Sequence, residues 1–469
     1  MGDDYRTERD SLGEIQVPAD AYWGAQTQRA VENFPISDST FGRRFVRALG
    51  VVKKAAAQAN NDLGLLDDET ADAIVEAADE VIVGDHDDQF PVDVFQTGSG
   101  TSSNMNANEV IANRAAEILG EEVGERAVHP NDHVNYGQSS NDVIPTAMHV
   151  AALEAVEKDV EPALELLADA LDEKAEEFDG VVKTGRTHLQ DATPVRLGQE
   201  FGGYRTQVEK GIERVRDVKD HLSELALGGT AVGTGLNTHP EFPEKAAAYI
   251  SEETGVSFRE ADDHFEAQAA HDAMNEAHGA LRTVAGSLNK IANDLRMLAS
   301  GPRNGLGEIE QPENQPGSSI MPGKINPVVA EAVNQVHKQV VGNDAAVNAG
   351  AVEGQLDLNL YKPVIAHNFL ESSNIIANAS VAFAEKFVAK LEANEEHCEA
   401  QVERSMALAT ALNPAIGYDK ASEVAKAALK EGKSVKEVVV EKGYLSEEEA
   451  EDALDPEKMT HRGILSGDD

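Results

Sequence analysis

Between residues 281 and 298 the apolar side chains fall at Leu281, Val284, Leu288, Ile291, Leu295 and Leu298. Steps of three and four alternate without a break, and only an α-helix puts such a series on one face. The alternation is that of a coiled-coil seam, so this face demands a partner helix along its whole length. A second stripe, Leu153, Val156, Val160, Leu164, Leu167 and Leu171, has the same steps, with Pro162 expected to kink it. Segments near 195–226, 328–350 and 356–391 also read as long helices. The expected fold is mainly α, with an elongated bundle of long helices in the middle of the chain. Small residues such as Ala267, Ala269, Ala270 and Ala273 suit close helix packing, and other copies of the same chain would complete the bundle most simply.

The flanks differ. At 469 residues the chain exceeds one ordinary core, and a prior of roughly 150 residues per domain suggests about three. The first third alternates extended pieces, 13–18 and 91–95, with helical ones such as 71–83. From about 396 come short helices punctuated by Gly432 and Gly443, with a capping box at Ser446 and Glu449. The expected division is a mixed domain 1–140, a long-helix bundle 141–395 and a small helical domain 396–469.

Charge narrows the function. With 84 acidic against 40 basic side chains, the net charge is -44, which speaks against nucleic acid and anionic membranes as partners. Self-repulsion on this scale weakens a compact state in dilute buffer, whereas at molar salt the Debye length falls to about 3 Å. A salt-rich cytoplasm is therefore expected, as in a halophile. Cys398 is the only cysteine, which removes internal disulfides and thiolate-ligated clusters. The opening MGDDYRTERDSLGEIQ shows no basic-then-apolar leader and no stretch nears the roughly 18 apolar residues of a membrane helix, so a soluble cytoplasmic protein is expected.

Four polar segments lie between the helical ones: TGSGTSSNMN (97–106), HPNDHVNYGQSSND (129–142), KTGRTHLQDATP (183–194) and GSSIMPGKINP (317–327). None fits a phosphate-binding loop, since neither G-x-x-x-x-G-K-[ST] nor an in-register G-x-G-x-x-G occurs. His129 and His133 are four apart, but Pro130 opposes a continuous helix and no motif supplies a third ligand, so no metal site is expected. What the segments share is hydroxyl and amide donors with a few cations: Arg126, Arg186, His188 and Lys324. Helix N-termini with Ser and Thr beside them bind anions. A small polycarboxylate is the natural guest, with the Gly-Ser-Ser run as a lid over it.

GSSIMPGKINP fits the G-S-x-x-M-P-x-K-x-N-P pattern of the superfamily of fumarases, aspartases, argininosuccinate lyases and adenylosuccinate lyases. Within it, TGSGTSSNMNANEV, HPND, QSSNDVIPTAMH, GRTHLQDATP and LALGGTAVGTGLNTHP resemble the class II, metal-independent fumarases, over about 6–459. The resemblance implies three domains, a central bundle of five long helices, and a homotetramer with each active site built from three subunits. It implies reversible hydration of fumarate to L-malate through an aci-carboxylate, without a cofactor. Ser318 would be the base, Lys324 and Asn326 would hold the aci-carboxylate, and His188, paired with Glu331, would protonate the departing hydroxyl. Thr101, Ser139, Ser140, Asn141 and Thr187 would grip the substrate carboxylates and Ser99 would line the pocket. Arg126, His129, Asn131 and Asp132 map to a second anion site of relatives. The stretch 328–344 is more like aspartases, which keeps aspartate ammonia-lyase as the nearest alternative, although aspartases carry Gln in place of His188 and Thr in place of Ser140. A catalytically silent helical protein is the alternative of a different class; it would have lost Ser318, Lys324 or His188, and all three are present.

Overall fold

Helix accounts for 62% of the structure, as the apolar stripes require. The computed structural model describes residues 5–463. A hairpin of β1 (Tyr5–Asp10) and β2 (Gly13–Pro18) leads into α1 (Ala25–Asn33), α2 (Arg43–Asp62), α3 (Asp68–Val83) and α4 (Thr101–Ile118). Asp67 caps α3 by accepting from Thr70 N–H, and Gly84, at φ 100°, ends it in the left-handed conformation. The stretch 91–95 forms no strand, only an isolated bridge from Asp93 to Thr40. Pro91 lacks a donor, and the Asp93 carboxylate takes the N–H groups of Ser37 and Phe95 that a partner strand would otherwise need.

The stripe from Leu153 to Leu171 is buried throughout. It runs along α5 (Ser140–Ala155), a wide π-type turn at Val156–Val160, and α6 (Glu161–Glu177). Pro162 has no N–H to give and its ring would strike the carbonyl four residues back, so the ladder widens just before it. Next come a hairpin of β3 (Val182–Thr187) and β4 (Gln190–Arg196), then α7 (Leu197–Asp217), the short α8 (Lys219–Leu222), α9 (Phe242–Thr254), α10 (His264–Ala269) and α11 (Asp272–Leu298). The seam from Leu281 to Leu298 is buried along α11. The alanines expected to line one helix instead straddle a break, because Ala270 at ψ 149° separates α10 from α11. Two more long helices come next, α12 (Val328–Ala351) and α13 (Lys362–Lys386), then α14 (Glu395–Arg404) and the short α15 (Asn413–Ile416), α16 (Tyr418–Glu431), α17 (Val435–Glu441) and α18 (Glu447–Ala453). The box at Ser446 and Glu449 caps α18, and a second, Ser434 with Glu437, caps α17.

The chain divides into two units. One comprises the chain up to Pro162 with Ile212–Ala285 and Val336–Ala377; the other comprises Ala163–Gly211, Gly286–Gln335 and the chain from Asn378 on. In the first, the buried His278 of α11 bonds Asp344 of α12 (3.0 Å) and Ser372 of α13 (2.9 Å). In the second, Tyr204 of α7 donates to Asp294 of α11 (3.1 Å), and Asn334 of α12 to Asn289 of α11 (2.9 Å). Each unit thus packs its share of the long helices side by side. Among the described residues no helix is long and apolar enough to cross a membrane.

Candidate active site

In the first unit two helix N-termini carry the hydroxyl-rich segments. Gly100, at φ 78°, turns the chain into α4, and a side chain there would strike Ile144 at 2.8 Å, so glycine is required twice over. Thr101 begins the helix with its Oγ1 2.8 Å from Ser99 Oγ, and Asn104 one turn on donates to Ser140 Oγ at 3.0 Å. TSSNMN is therefore the start of a helix whose polar side chains are largely buried, rather than a solvated loop. At α5, Ser139 is the N-cap, accepting from Asn141 N–H, and Asp142 closes the capping box by accepting from Ser139 N–H at 2.9 Å.

The polar floor beneath Ser139, Ser140 and Asn141 was not foreseen from sequence. Asp142 Oδ2 also accepts from Gly228 N–H (3.0 Å) and Thr230 N–H (2.9 Å), while Asn141 Nδ2 donates to Ala231 O (2.7 Å), so the GGTAVGTG turn is stitched to the start of α5. Lys53 of α2 donates to Asn135 and Gln138 at 2.9 Å each, and Lys362 of α13 to Asn141 O at 3.2 Å. All three charged groups are buried. Burial pushes Asp142 up to about 6 despite its three N–H donors, and lowers Lys53 and Lys362 to about 7. Ser-x-x-Asp before an apolar run was the available sign of Asp142; no local pattern marks either lysine.

The second-anion candidates lie at the π-type turn Pro130–Val134. His129 Nδ1 accepts from the N–H groups of Asn131 (3.2 Å) and Asp132 (3.1 Å), and the Asp132 carboxylate stands 3.3 Å away. His133 Nδ1 accepts from His129 N–H at 3.0 Å. Arg126, at φ 60°, donates to Arg9 O.

The second unit carries the rest. KTGRTHLQDATP is no loop: it is the β3–β4 hairpin, in which Thr187 pairs with Gln190 across a two-residue turn of His188 and Leu189. Both turn residues have positive φ, 54° and 59°, as a type I′ turn demands and side chains resist. His188 is thereby held out in solvent, and its ring makes no hydrogen bond among the described residues. In 317–327, Ser318 Oγ accepts from Ile320 N–H (3.2 Å) and Met321 N–H (2.9 Å). Asn326 Nδ2 donates to Gly317 O, pinning the loop's two ends together just before α12. Lys324 is exposed.

The expected residues divide between the two units. Ser99, Thr101, Ser139, Ser140 and Asn141 fall in the first unit; Thr187, His188, Ser318, Lys324, Asn326 and Glu331 in the second. Glu331 does not meet His188; its nearest cation is Arg296 at 3.9 Å. The cavity of about 1410 Å³ in the second unit is elsewhere, lined by Glu395, Glu399, Glu403, Glu448 and Glu451, which repel a dicarboxylate. No cluster of three or more His, Cys, Asp or Glu suited to a metal occurs among the described residues.

Residues 13–342 match a family described as Lyase, and residues 408–461 one described as Fumarase C C-terminus. The chain is 86% identical over 469 residues, all of both chains, to the class II fumarate hydratase of Halobacterium salinarum. It is 55% identical over 459 residues to that of Nitrosomonas europaea, covering 98% of this chain and 99% of the relative. Among solved structures, a recombinant class II fumarase from Schistosoma mansoni superposes with TM-score 0.95 at 40% identity, over 97% of this chain and 99% of that one. A fumarate lyase:delta crystallin from Brucella melitensis bound to cobalt gives 0.94 at 48%, over 98% and 100%. Motifs, fold and full-length similarity agree: the chain belongs to the class II fumarate hydratase family.

Proposed function

We propose that the protein interconverts fumarate and L-malate by removing and adding water. In the dehydrating direction, Ser318 takes a proton from the carbon beside one malate carboxylate, and the electron pair flows onto that carboxylate. Lys324 and Asn326 hold the resulting aci-carboxylate; Asn326 has a second N–H beyond the one spent on Gly317. Hydroxide then leaves the neighbouring carbon and takes a proton from His188, departing as water. Thr101, Ser139, Ser140, Asn141 and Thr187 grip the carboxylates and Ser99 lines the pocket.

The observation that carries this reading is the pair of backbone N–H groups aimed at Ser318 Oγ. A hydroxyl is a weak base until its ionised form is stabilised, and two preorganised donors are what an alkoxide needs. The exposed tip at Ile320 and Met321 suits a lid that closes over bound substrate. Because His188 and Glu331, both in the second unit, do not meet within the chain, the reading places catalysis in a homotetramer, where His188 meets Glu331 from another copy. The three-part division 1–140, 141–395 and 396–469, the second anion site at Arg126, His129, Asn131 and Asp132, and a salt-rich cytoplasmic setting belong to the same proposal. Gel filtration in molar salt giving a stable monomer would overturn the assembly.

The test is loss of fumarate's ultraviolet absorbance in molar potassium chloride, without added metal, with and without ammonium. Loss in both with malate as product is expected. Loss only with ammonium would make the protein an aspartase, which the fumarate hydratase relatives disfavour; loss in neither would leave the silent reading.

A further inference from the structure

Beneath the His188 hairpin lies a buried set of charges to which the proposed chemistry assigns no part. Glu308 is wholly buried. Its Oε1 accepts from Arg186 at 2.7 Å and its Oε2 stands 3.1 Å from Lys183 Nζ. Lys183, itself 1% exposed, donates to both oxygens of Glu200 on α7 (2.9 and 3.0 Å). Arg186 also donates to Gln401 of α14 at 2.8 Å. The backbone of Glu308 is fixed too, donating to Leu298 O and accepting from Asn394 N–H, 2.9 Å each.

We propose that Glu308 is a positioning residue for the proton donor: by holding Arg186 at the bulge of β3, it aims the turn that carries His188. This rests on His188 being the proton donor. The pairing of β3 with β4 shifts register between Thr184 and Arg186, and a bulge re-aims the side chains of the residues beyond it. Gly185 permits the bulge, since a Cβ there would lie 2.5 Å from Thr193 O. A turn with two side-chain-bearing residues at positive φ persists only where its base over-determines it, and the Arg186–Glu308 pair supplies that base one residue from Thr187. Stability alone is a poor reason for the cluster, because buried ion pairs are often replaceable by apolar side chains at no loss.

The full-length protein is assayed for malate dehydration in molar potassium chloride. Glu308→Gln keeps an oxygen for Arg186 but removes the charge between it and Lys183. Its kcat should fall by about 10²-fold, the effect of a misplacement near 1 Å, with KM little changed. Glu308→Asp should recover part of the loss. Added to His188→Asn, Glu308→Gln should cause no further fall, because a residue acting through His188 has nothing left to position. An equal further fall in that background, or a lowered Tm with wild-type kcat, would overturn the proposal. A wild-type kcat for His188→Asn alone would refute the donor role itself and the positioning role with it. Should Glu308→Gln not fold, Gln401→Ala removes Arg186's other side-chain acceptor without stranding a buried carboxylate. A loss of about 10-fold that vanishes beside His188→Asn is then expected, and no loss would overturn the proposal.

Discussion

Replacing Gly317 by Ala perturbs the base loop in a way the geometry quantifies. A Cβ at 317 would lie 1.9 Å from the carbonyl oxygen of Lys324, 2.7 Å from its carbon and 3.0 Å from the nitrogen of Asn326. Cβ atoms do not approach closer than 3.0 Å, so one backbone or the other must move by about 1.1 Å. Whichever moves, a group of the proposed catalytic set moves with it, for Ser318 adjoins Gly317 and Lys324 carries the opposing carbonyl. A shift of about 1 Å costs about 10²-fold in rate, or about 2.7 kcal/mol of transition-state stabilisation. The loop is largely exposed, so Tm should stay within about 2 °C. Gly323→Ala is the control. Gly323 has φ +75° but open space around its Cβ position, so alanine there costs about 1 kcal/mol of backbone strain and less than tenfold in rate. Steady-state kinetics with Tm by calorimetry decide the matter. A soluble Gly317→Ala enzyme within twofold of wild type would refute the claim that this close approach sets the catalytic geometry.

Ser318→Ala should lower turnover by roughly 10² or more with the fold intact by circular dichroism; near wild-type turnover excludes it as the base. Asp142→Ala leaves the N–H groups of Ser139, Gly228 and Thr230 without their acceptor; at about 1 kcal/mol or more each it should cost at least ~3 kcal/mol in urea unfolding. Lys53 titrates at about 7 in the fold against 10.5 when free. Between those values the unfolded chain binds a proton that the folded chain does not, so stability rises with pH across the window and is lost as pH falls toward 7. Lys53→Met should flatten that rise in Tm, leaving the share due to Lys362; an unchanged slope would show that Lys53 stays charged when buried. With a net charge of -44, Tm should climb steeply from dilute buffer to molar potassium chloride, and a flat response would remove the case for a salt-rich interior.

The helices were legible because their apolar stripes are one-dimensional patterns: the seam along α11 and the Pro162 disturbance both appear where periodicity put them. The β3–β4 hairpin was not. Its turn is His188–Leu189 where Asn-Gly or Asp-Gly would announce one, and Gly185 and Pro194 interrupt the alternation of its strands. The same strain that hid the hairpin places His188 in solvent, so the misread segment also carries the proposed proton donor. The polar character of loop 317–327 was readable, but the N–H groups of Ile320 and Met321 that converge on Ser318 Oγ come from a tight turn that no pattern marks. Lys53, Asp142, Lys362 and Glu308 gather from residues far apart in sequence, and a buried charge of this kind is recognisable only once its partners are known. His188 and Glu331 do not meet within the chain, and no pattern in one sequence shows which residues another copy would bring to them.

The route of the chain between its two units restricts how such a protein can change. The chain passes between them five times, and every passage falls inside a helix: α6, α7, α11, α12 and α13. Neither unit is therefore a detachable cassette. No single cut, duplication or fusion can move one without severing the other's helices, so recombination has few places to act. New specificity in such a scaffold must arise by substitution within the loops at the helix ends, while the helices that thread both units keep their lengths and phase.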